Sequence, residues 1–272
     1  MNPSVVIDNL GYLLVGAWPD GPVGGLALTL ILSGLSGLAS AALGLIFGVV
    51  LAVSAGAART ILTAGLGFLR AVPVVMLIFW TYFLLPILFG VSIPEVGTVA
   101  AALSLVGGAY LSYGVASGIA SVGRGQWEAG LALGLGPWRT LRFVILPQAL
   151  RAMAPSFVNQ WTTLIKDTSL AYVIGVPELS FVAAQVNNRA MIYPAEIFLF
   201  VGAVYGVLCV SLDGLASRVR RPAGSRRIAP SDGAAEGPTR PGRPAGRGRF
   251  LRAHVQGVPD RGRRAPARST EN

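Results

Sequence analysis

A chain of 272 residues that is 53% hydrophobic and 12% charged, with a mean hydropathy of +0.62, has too little polar surface for a soluble domain of its size. The formal charge of +10 does not describe its body: residues 218–272 hold 14 arginines against four acidic residues, and the rest balances eight bases against eight acids. One cysteine, Cys209, and one histidine, His254, exclude an intramolecular disulfide and leave no cysteine-based metal site.

The bilayer is therefore the expected solvent, and a helix needs about 20 apolar residues to cross its hydrocarbon core. No basic region precedes the first apolar stretch, so no cleavable signal peptide is expected. The first span is expected between Asp20 and Arg59, in LALTLILSGLSGLASAALGLIFGVVLAV. The second lies between Arg70 and Glu95, in AVPVVMLIFWTYFLLPILFG, and the third between Glu95 and Arg124. Met76, Trp80 and Tyr82 of the second span read as packing residues. A fourth span is expected between Pro155 and Pro177, polar and buried in protein, with Lys166 and Asp167 near its middle. The last, IFLFVGAVYGVLCVSL, can cross if it starts at Pro194.

That makes an all-α integral membrane protein of about five transmembrane helices. Arg59 and Arg70, then Arg124, Arg139, Arg142 and Arg151, then Arg218, Arg220 and Arg221 all fall on one side of such a chain, which the positive-inside rule makes cytoplasmic. The other side holds Asp8, Asp20 and Glu95, with Arg189 as its basic residue. The N-terminus is thus expected outside and the C-terminus inside, with a transmembrane body over residues 1–221. From residue 222 the chain is rich in Arg, Gly and Pro and cannot bury enough surface to offset its chain entropy, so 222–272 reads as a disordered tail. A dispensable extension and a contact with anionic lipid headgroups are both open for it. Nucleic acid is not an expected partner, because no aromatic platform is interleaved with the arginines.

Between the third and fourth spans lies EAGLALGLGPWRTLRFVILP. Glu128 to about Leu135 predicts a short helix, with Leu131 and Leu135 on one face. Gly134, Gly136 and Pro137 break it, and Trp138, Leu141 and Ile145 resume helical spacing. Pro147 ends or bends this second piece. Its apolar edge needs a partner, either a protein groove or the lipid surface.

This stretch resembles the EAA loop of the membrane subunits of ATP-binding-cassette importers, whose pattern is E-A-A-x3-G-x9-I-x-L-P. Glu128, Ala129, Gly134, Leu146 and Pro147 match; Gly130 replaces the second Ala and Val144 the Ile. LRAVPVVMLIFWTYFLLP, GAYLSYGVASGI and LIKDTSLAYVIGVPEL are similar to the polar-amino-acid permeases, with VPVVMLIFWTYFLLP nearest the glutamate/aspartate branch. The resemblance covers roughly residues 10–220. It implies the type I ABC importer permease fold and a location in the bacterial inner membrane, with the loop docked on a cytoplasmic ABC ATPase. It also implies a second permease subunit, in a homo- or heterodimer, an extracytoplasmic solute-binding protein and an amino acid substrate. Glu128, Ala129, Gly130, Gly134 and Pro147 are then the ATPase-coupling residues. Glu128 would anchor the first helix near its positive end, and Gly134 would permit a close backbone approach. No phosphate-binding G-x-x-x-x-G-K-[ST] motif is present, so ATP hydrolysis belongs to the partner and no cofactor is expected.

Lys166 and Asp167 at membrane depth are costly and need a partner or a polar path. Two readings are open: they neutralise other spans, or they line the substrate path with Thr168 and Ser169, as the resemblance implies. Lys166 could hold the α-carboxylate that every amino acid carries. The resembled family places an acid where Tyr113 stands, so its loss favours acidic or neutral amino acids over basic ones. A channel or secondary carrier working without an ATPase is the alternative, but it leaves the loop unexplained.

Overall fold

The computed structural model describes residues 4–90, 94–190 and 194–220, all within the first of two compact units, Met1–Gly224. The expected tail lies outside the described residues. Twelve α-helices form among those residues, and β-structure is limited to two isolated bridges, Gly16 with Val23 and Gly25 with Glu178. Two short helices, α1 (Ser4–Asp8) and α2 (Leu10–Val15), precede the first long one, α3 (Gly25–Val53). Next come α4 (Gly56–Ala71), α5 (Val74–Phe79), α6 (Leu85–Phe89) and α7 (Glu95–Ser121). The loop contributes α8 (Arg124–Ala132) and α9 (Pro137–Thr140), and the chain continues as α10 (Leu146–Asp167), α11 (Leu179–Ala190) and α12 (Pro194–Arg220).

The core is a seam between α3 and α7 at which glycines let two backbones close up. A Cβ on Gly44 would collide with Leu111, and one on Gly48 with Val115. A Cβ on Gly107 would strike Ser40, and one on Gly108 would sit 2.7 Å from the Leu43 Cβ. Lipid tails are as apolar as leucine, so helices in a bilayer associate through such close packing. Ser40, Gly44 and Gly48 each face the residue 67 positions later, and this constant offset means that α3 and α7 run parallel.

Two parallel helices need a return between them, and residues 56–89 supply it. Val72 precedes Pro73 and is pushed into extended backbone (φ −76°, ψ 131°), so α4 stops there. Val74–Phe89 then sets off at 101° to α4. The second span thus begins later than expected, and the stretch holding Arg59 and Arg70 is helix rather than loop. Met76 and Trp80 are exposed rather than packed inside this chain. Trp80 instead stacks on Phe68, with ring centroids 6.2 Å apart.

α10 runs back against α7. Ile145, Ala149 and Met153 pack on Val115 and Ile119 near one end, and Leu164 joins Leu28, Leu32 and Val99 near the other. α12 reverses once more, with Ile197 and Val201 beside Leu13 and Leu179. Among the described residues the helix direction thus alternates through five segments, of which three or four have the length and composition to cross a membrane. Three are long and apolar by composition (α3, α7 and Pro194–Leu215), and the bent pair makes a fourth. The fifth is α10, which has 22 residues but carries Arg151, Lys166 and Asp167.

The fourth span differs from its expected position. It starts at Leu146 rather than Pro155, which lies inside the helix, and it ends at Asp167. A 3-10 turn, Thr168–Ile174, and a left-handed Gly175 (φ 86°) follow. Lys166 and Asp167 thus close a helix instead of sitting in its middle.

Candidate functional site

The loop is built by ordinary capping rules. α8 ends in a Schellman motif: Leu135 N–H bonds the Gly130 carbonyl (3.1 Å) and Gly134 N–H bonds that of Leu131 (3.0 Å). This motif needs a left-handed residue, and Gly134 has φ 77°. Within this chain, space does not require glycine there: a Cβ on Gly134 would meet nothing within 4 Å. Inside the chain the close approach is at Gly130. A Cβ on Gly130 would lie 2.5 Å from the Thr140 Cγ2 and 2.9 Å from its Oγ1.

Glu128 sits in the second turn of α8, away from the N-terminal end expected for it, so the helix dipole gives it little. Its side chain is exposed, as is Ala129. Leu135 falls beyond the helix, so the apolar edge is carried by other residues. Leu131, Leu133 (81% exposed), Trp138 (61% exposed) and Phe143 stand out from the protein. Arg142 lies over the Phe143 ring, 5.5 Å from its centroid.

Pro147 does not end the second piece. A π-helical turn, Leu141–Ile145, joins α9 to α10, with Leu146 N–H bonded to the Leu141 carbonyl five residues back. The wider turn lets the helix run through a proline that has no N–H to give. Residues 137–167 are consequently helical throughout, with the loop at one end and Lys166 at the other. The same arrangement recurs at Trp80–Leu84 ahead of Pro86.

At the far end Lys166 is exposed and Asp167 half-buried. Thr168 is buried, and its hydroxyl donates to the Ile165 carbonyl (2.7 Å). The Ser169 hydroxyl donates to the Lys166 carbonyl (2.7 Å). Both hydroxyl protons are thus spent on backbone, leaving lone pairs that can only accept. Tyr113 is not beside a carboxylate. Its hydroxyl donates to the Thr63 carbonyl (3.3 Å), and the Arg70 guanidinium lies 4.6 Å from its ring centroid and 4.8 Å from that of Tyr110.

Arg70 is the residue that sequence reasoning missed, having counted it as a loop charge. The available signal was Tyr110 and Tyr113, three apart on one helical face and able to seat a cation. Leu69, beside Arg70, packs into the same apolar cluster as Leu164 and Leu170, which flank Lys166 and Asp167.

Glu178 was also missed. It is fully buried, and its carboxylate accepts the N–H groups of Ser180 (2.9 Å) and Phe181 (3.0 Å) at the start of α11 and the Tyr205 hydroxyl (2.9 Å) of α12. Burial pushes this carboxyl above its usual range, and those hydrogen bonds oppose the shift. Its sequence signal was a lone acid directly before a helix, where a side-chain acceptor caps the free N–H groups. Cys209 is half-buried, with its Sγ 4.0 Å from the Thr162 carbonyl. A cleft of about 500 Å³ opens where α7 gives way to α8, lined by Ser121, Gln126, Gln148 and neighbours, and Lys166 does not line it.

Three long apolar helices and a bent pair, with a structured loop whose apolar edge is exposed, define a multi-pass membrane protein. Residues 44–222 match the binding-protein-dependent transport system inner membrane component, and the chain belongs to that family. The glutamine transport system permease protein GlnP of Escherichia coli (strain K12) is 36% identical over 191 residues, covering 66% of this chain and 85% of that one. The glutamate/aspartate import permease protein GltK of Escherichia coli O157:H7 is 32% identical over 229 residues, covering 80% and 96%. In fold, the chain superposes on the crystal structure of an amino acid ABC transporter with histidines at a TM-score of 0.70. There the identity is 24%, with 81% of this chain and 98% of that one covered. The protein is accordingly a permease component of a transport system in the bacterial inner membrane, not a free-standing channel or carrier.

Proposed function

We propose that this permease imports polar amino acids, driven by a separate ABC ATPase and supplied by an extracytoplasmic solute-binding protein. The observation that carries the substrate class is the charge count along the candidate path. Arg70 sits over Tyr110 and Tyr113, Lys166 is exposed at the end of α10, and Asp167 is the acid next to it. Lys166 holds the substrate's α-carboxylate and Asp167 its α-ammonium, which leaves Arg70 for an acidic or amide side chain. Arg70 already occupies the Tyr110–Tyr113 seat, so a cationic side chain would be repelled there. The relatives named for glutamine and for glutamate/aspartate agree with that preference.

The loop faces the cytoplasm, where the exposed Leu133 and Trp138 enter a groove of the ATPase and Glu128 meets a basic group of the partner. A second permease subunit completes the translocation path, since five crossings do not enclose one. The tail from residue 222 is dispensable for transport.

The test is uptake by the reconstituted transporter. Lys166→Met removes the charge and keeps the stem. A charge-assisted hydrogen bond contributes roughly 1.5–3 kcal/mol, so half-saturation should rise about 10- to 150-fold while the complex still assembles. Unchanged half-saturation, or arginine competing as well as glutamate and glutamine, would overturn this reading of the path.

A further inference from the structure

The turn that follows Lys166 and Asp167 meets one oxygen at both of its ends. It leaves α10 as the 3-10 segment Thr168–Ile174, reverses at Gly175 and reaches Glu178 just ahead of α11. Thr168 and Glu178 are both fully buried. The Tyr205 hydroxyl of α12 donates to Glu178 Oε2 (2.9 Å), and the Thr168 hydroxyl lies within hydrogen-bonding reach of the same phenolic oxygen. Ser180 Oγ stands 3.4 Å from it on the α11 side. The Glu178 end is also fixed to α3. Gly25 N–H bonds the Pro177 carbonyl (2.8 Å), and Leu179 N–H bonds Thr29 Oγ1 (3.1 Å). The Thr168 end has a different situation: its hydroxyl is otherwise bonded to Ile165 of its own helix. Tyr205 therefore links the end of α10 to a platform that α3 and α11 hold in place.

We infer that Tyr205 is a positioning residue for the substrate: by holding Thr168 against the Glu178 platform, its hydroxyl sets where Lys166 and Asp167 stand. Thr168 shares a peptide bond with Asp167, so a shift of Thr168 carries the carboxylate with it. Thr168 has no exposed surface and cannot reach a substrate, whereas Lys166 is exposed and Ser169 partly so. Thr168 thus acts through Tyr205 and the turn. The inference rests on the proposal that Lys166 and Asp167 hold the amino acid.

The test uses the complete transporter in nanodiscs, without solute-binding protein. It reads the dissociation constant for radiolabelled glutamine and the basal rate of ATP hydrolysis, both per assembled complex. Tyr205→Phe should weaken glutamine binding about two- to tenfold, the equivalent of one neutral hydrogen bond, and leave basal hydrolysis unchanged. Thr168→Val should weaken it by a similar factor. The double variant should be no weaker than the weaker-binding single variant, because both substitutions break one link. Asp213→Ala is the control: it cuts the other hydrogen bond between α10 and α12, from Thr162, without touching the turn, and should leave the affinity as it was. Wild-type affinity in Tyr205→Phe, single effects that multiply in the double variant, or an equal loss in Asp213→Ala overturns the inference. Should Tyr205→Phe fail to assemble, Thr168→Val decides: weakened binding supports the link and wild-type binding overturns it. A wild-type transporter that binds neither glutamine nor glutamate, or Lys166→Met with undiminished affinity, sinks the underlying reading of the path. Weakened binding in Lys166→Met beside an indifferent Tyr205→Phe sinks the positioning role alone.

Discussion

α7 and α12 are both 27 residues long, and α12 is the more apolar of their spanning windows, yet their surroundings are opposite. Of the α7 window 61% is buried within the chain, against 11% for α12. In water the more apolar helix would be the inner one. In lipid no hydrophobic force draws it inward, and the helix that goes inside is the one small enough to be approached. α7 reads GTVAAALSLVGGAYLSYGVASG and presents Gly107, Gly108 and Gly118 to its neighbours. α12 turns Phe198, Leu199, Val207 and Val210 outward. It is joined to the rest by a few specific ties: Tyr205 to Glu178, and the Thr162 hydroxyl to an Asp213 oxygen at 3.4 Å.

The comparison can be broken most severely at the seam. Gly44→Leu places a branched side chain where α7 already stands. Overpacking costs roughly 1–3 kcal/mol, and more where neither backbone can yield, so the detergent-extracted protein should lose its monodisperse peak in size-exclusion chromatography. A normal peak would mean that the α3–α7 spacing is not set by these glycines.

A middle effect is expected at the tie that holds α12. Glu178→Ala strands two helix N–H groups and the Tyr205 hydroxyl, at roughly 1–3 kcal/mol, and should lower the unfolding midpoint clearly. Tyr205→Phe removes one partner and should cost about 0.5–1.5 kcal/mol. Equal losses from the two would show that capping of α11 contributes nothing.

The smallest effect is expected on the bare helix. A Cβ on Gly206 would meet nothing within 4 Å, so Gly206→Leu should stay within about 0.5 kcal/mol of wild type in the isolated chain. The same substitution in the assembled transporter sharpens the point. A large loss there alone would show that a second subunit covers this face of α12.

Much of this architecture was legible in the residues. The first, third and last spans lie where uninterrupted apolar runs put them, and the glycine break after α8 is where Gly134 and Pro137 put it. The sequence pattern was silent where the deciding contact is between distant residues. Arg70 resembled an ordinary loop charge because its seat, Tyr110 and Tyr113, lies forty and more positions away. Gly130 passed for a mild departure from a family pattern, because the Thr140 side chain that lies against it is ten positions away. Pro155 resembled a helix start, yet the surrounding helices hold the segment straight through it. The candidate path remains a proposal built on Lys166, Asp167, Thr168, Ser169 and Tyr113, with Arg70 added by geometry.

The unbroken run from residue 137 to residue 167 has one more consequence, concerning angular phase. Each residue of an α-helix turns about 100° and rises about 1.5 Å, so the direction of Lys166 is fixed relative to that of Trp138 some 28 residues earlier. Inserting or deleting one residue anywhere between them would swing Lys166 by more than a quarter turn while scarcely changing its height. The π turn at Leu141–Ile145 takes one residue more than an α turn to close the same circuit, and so already carries such a phase correction within it. Under the roles proposed for the loop and Lys166, the length of this segment is therefore constrained along with the identity of its buried side chains.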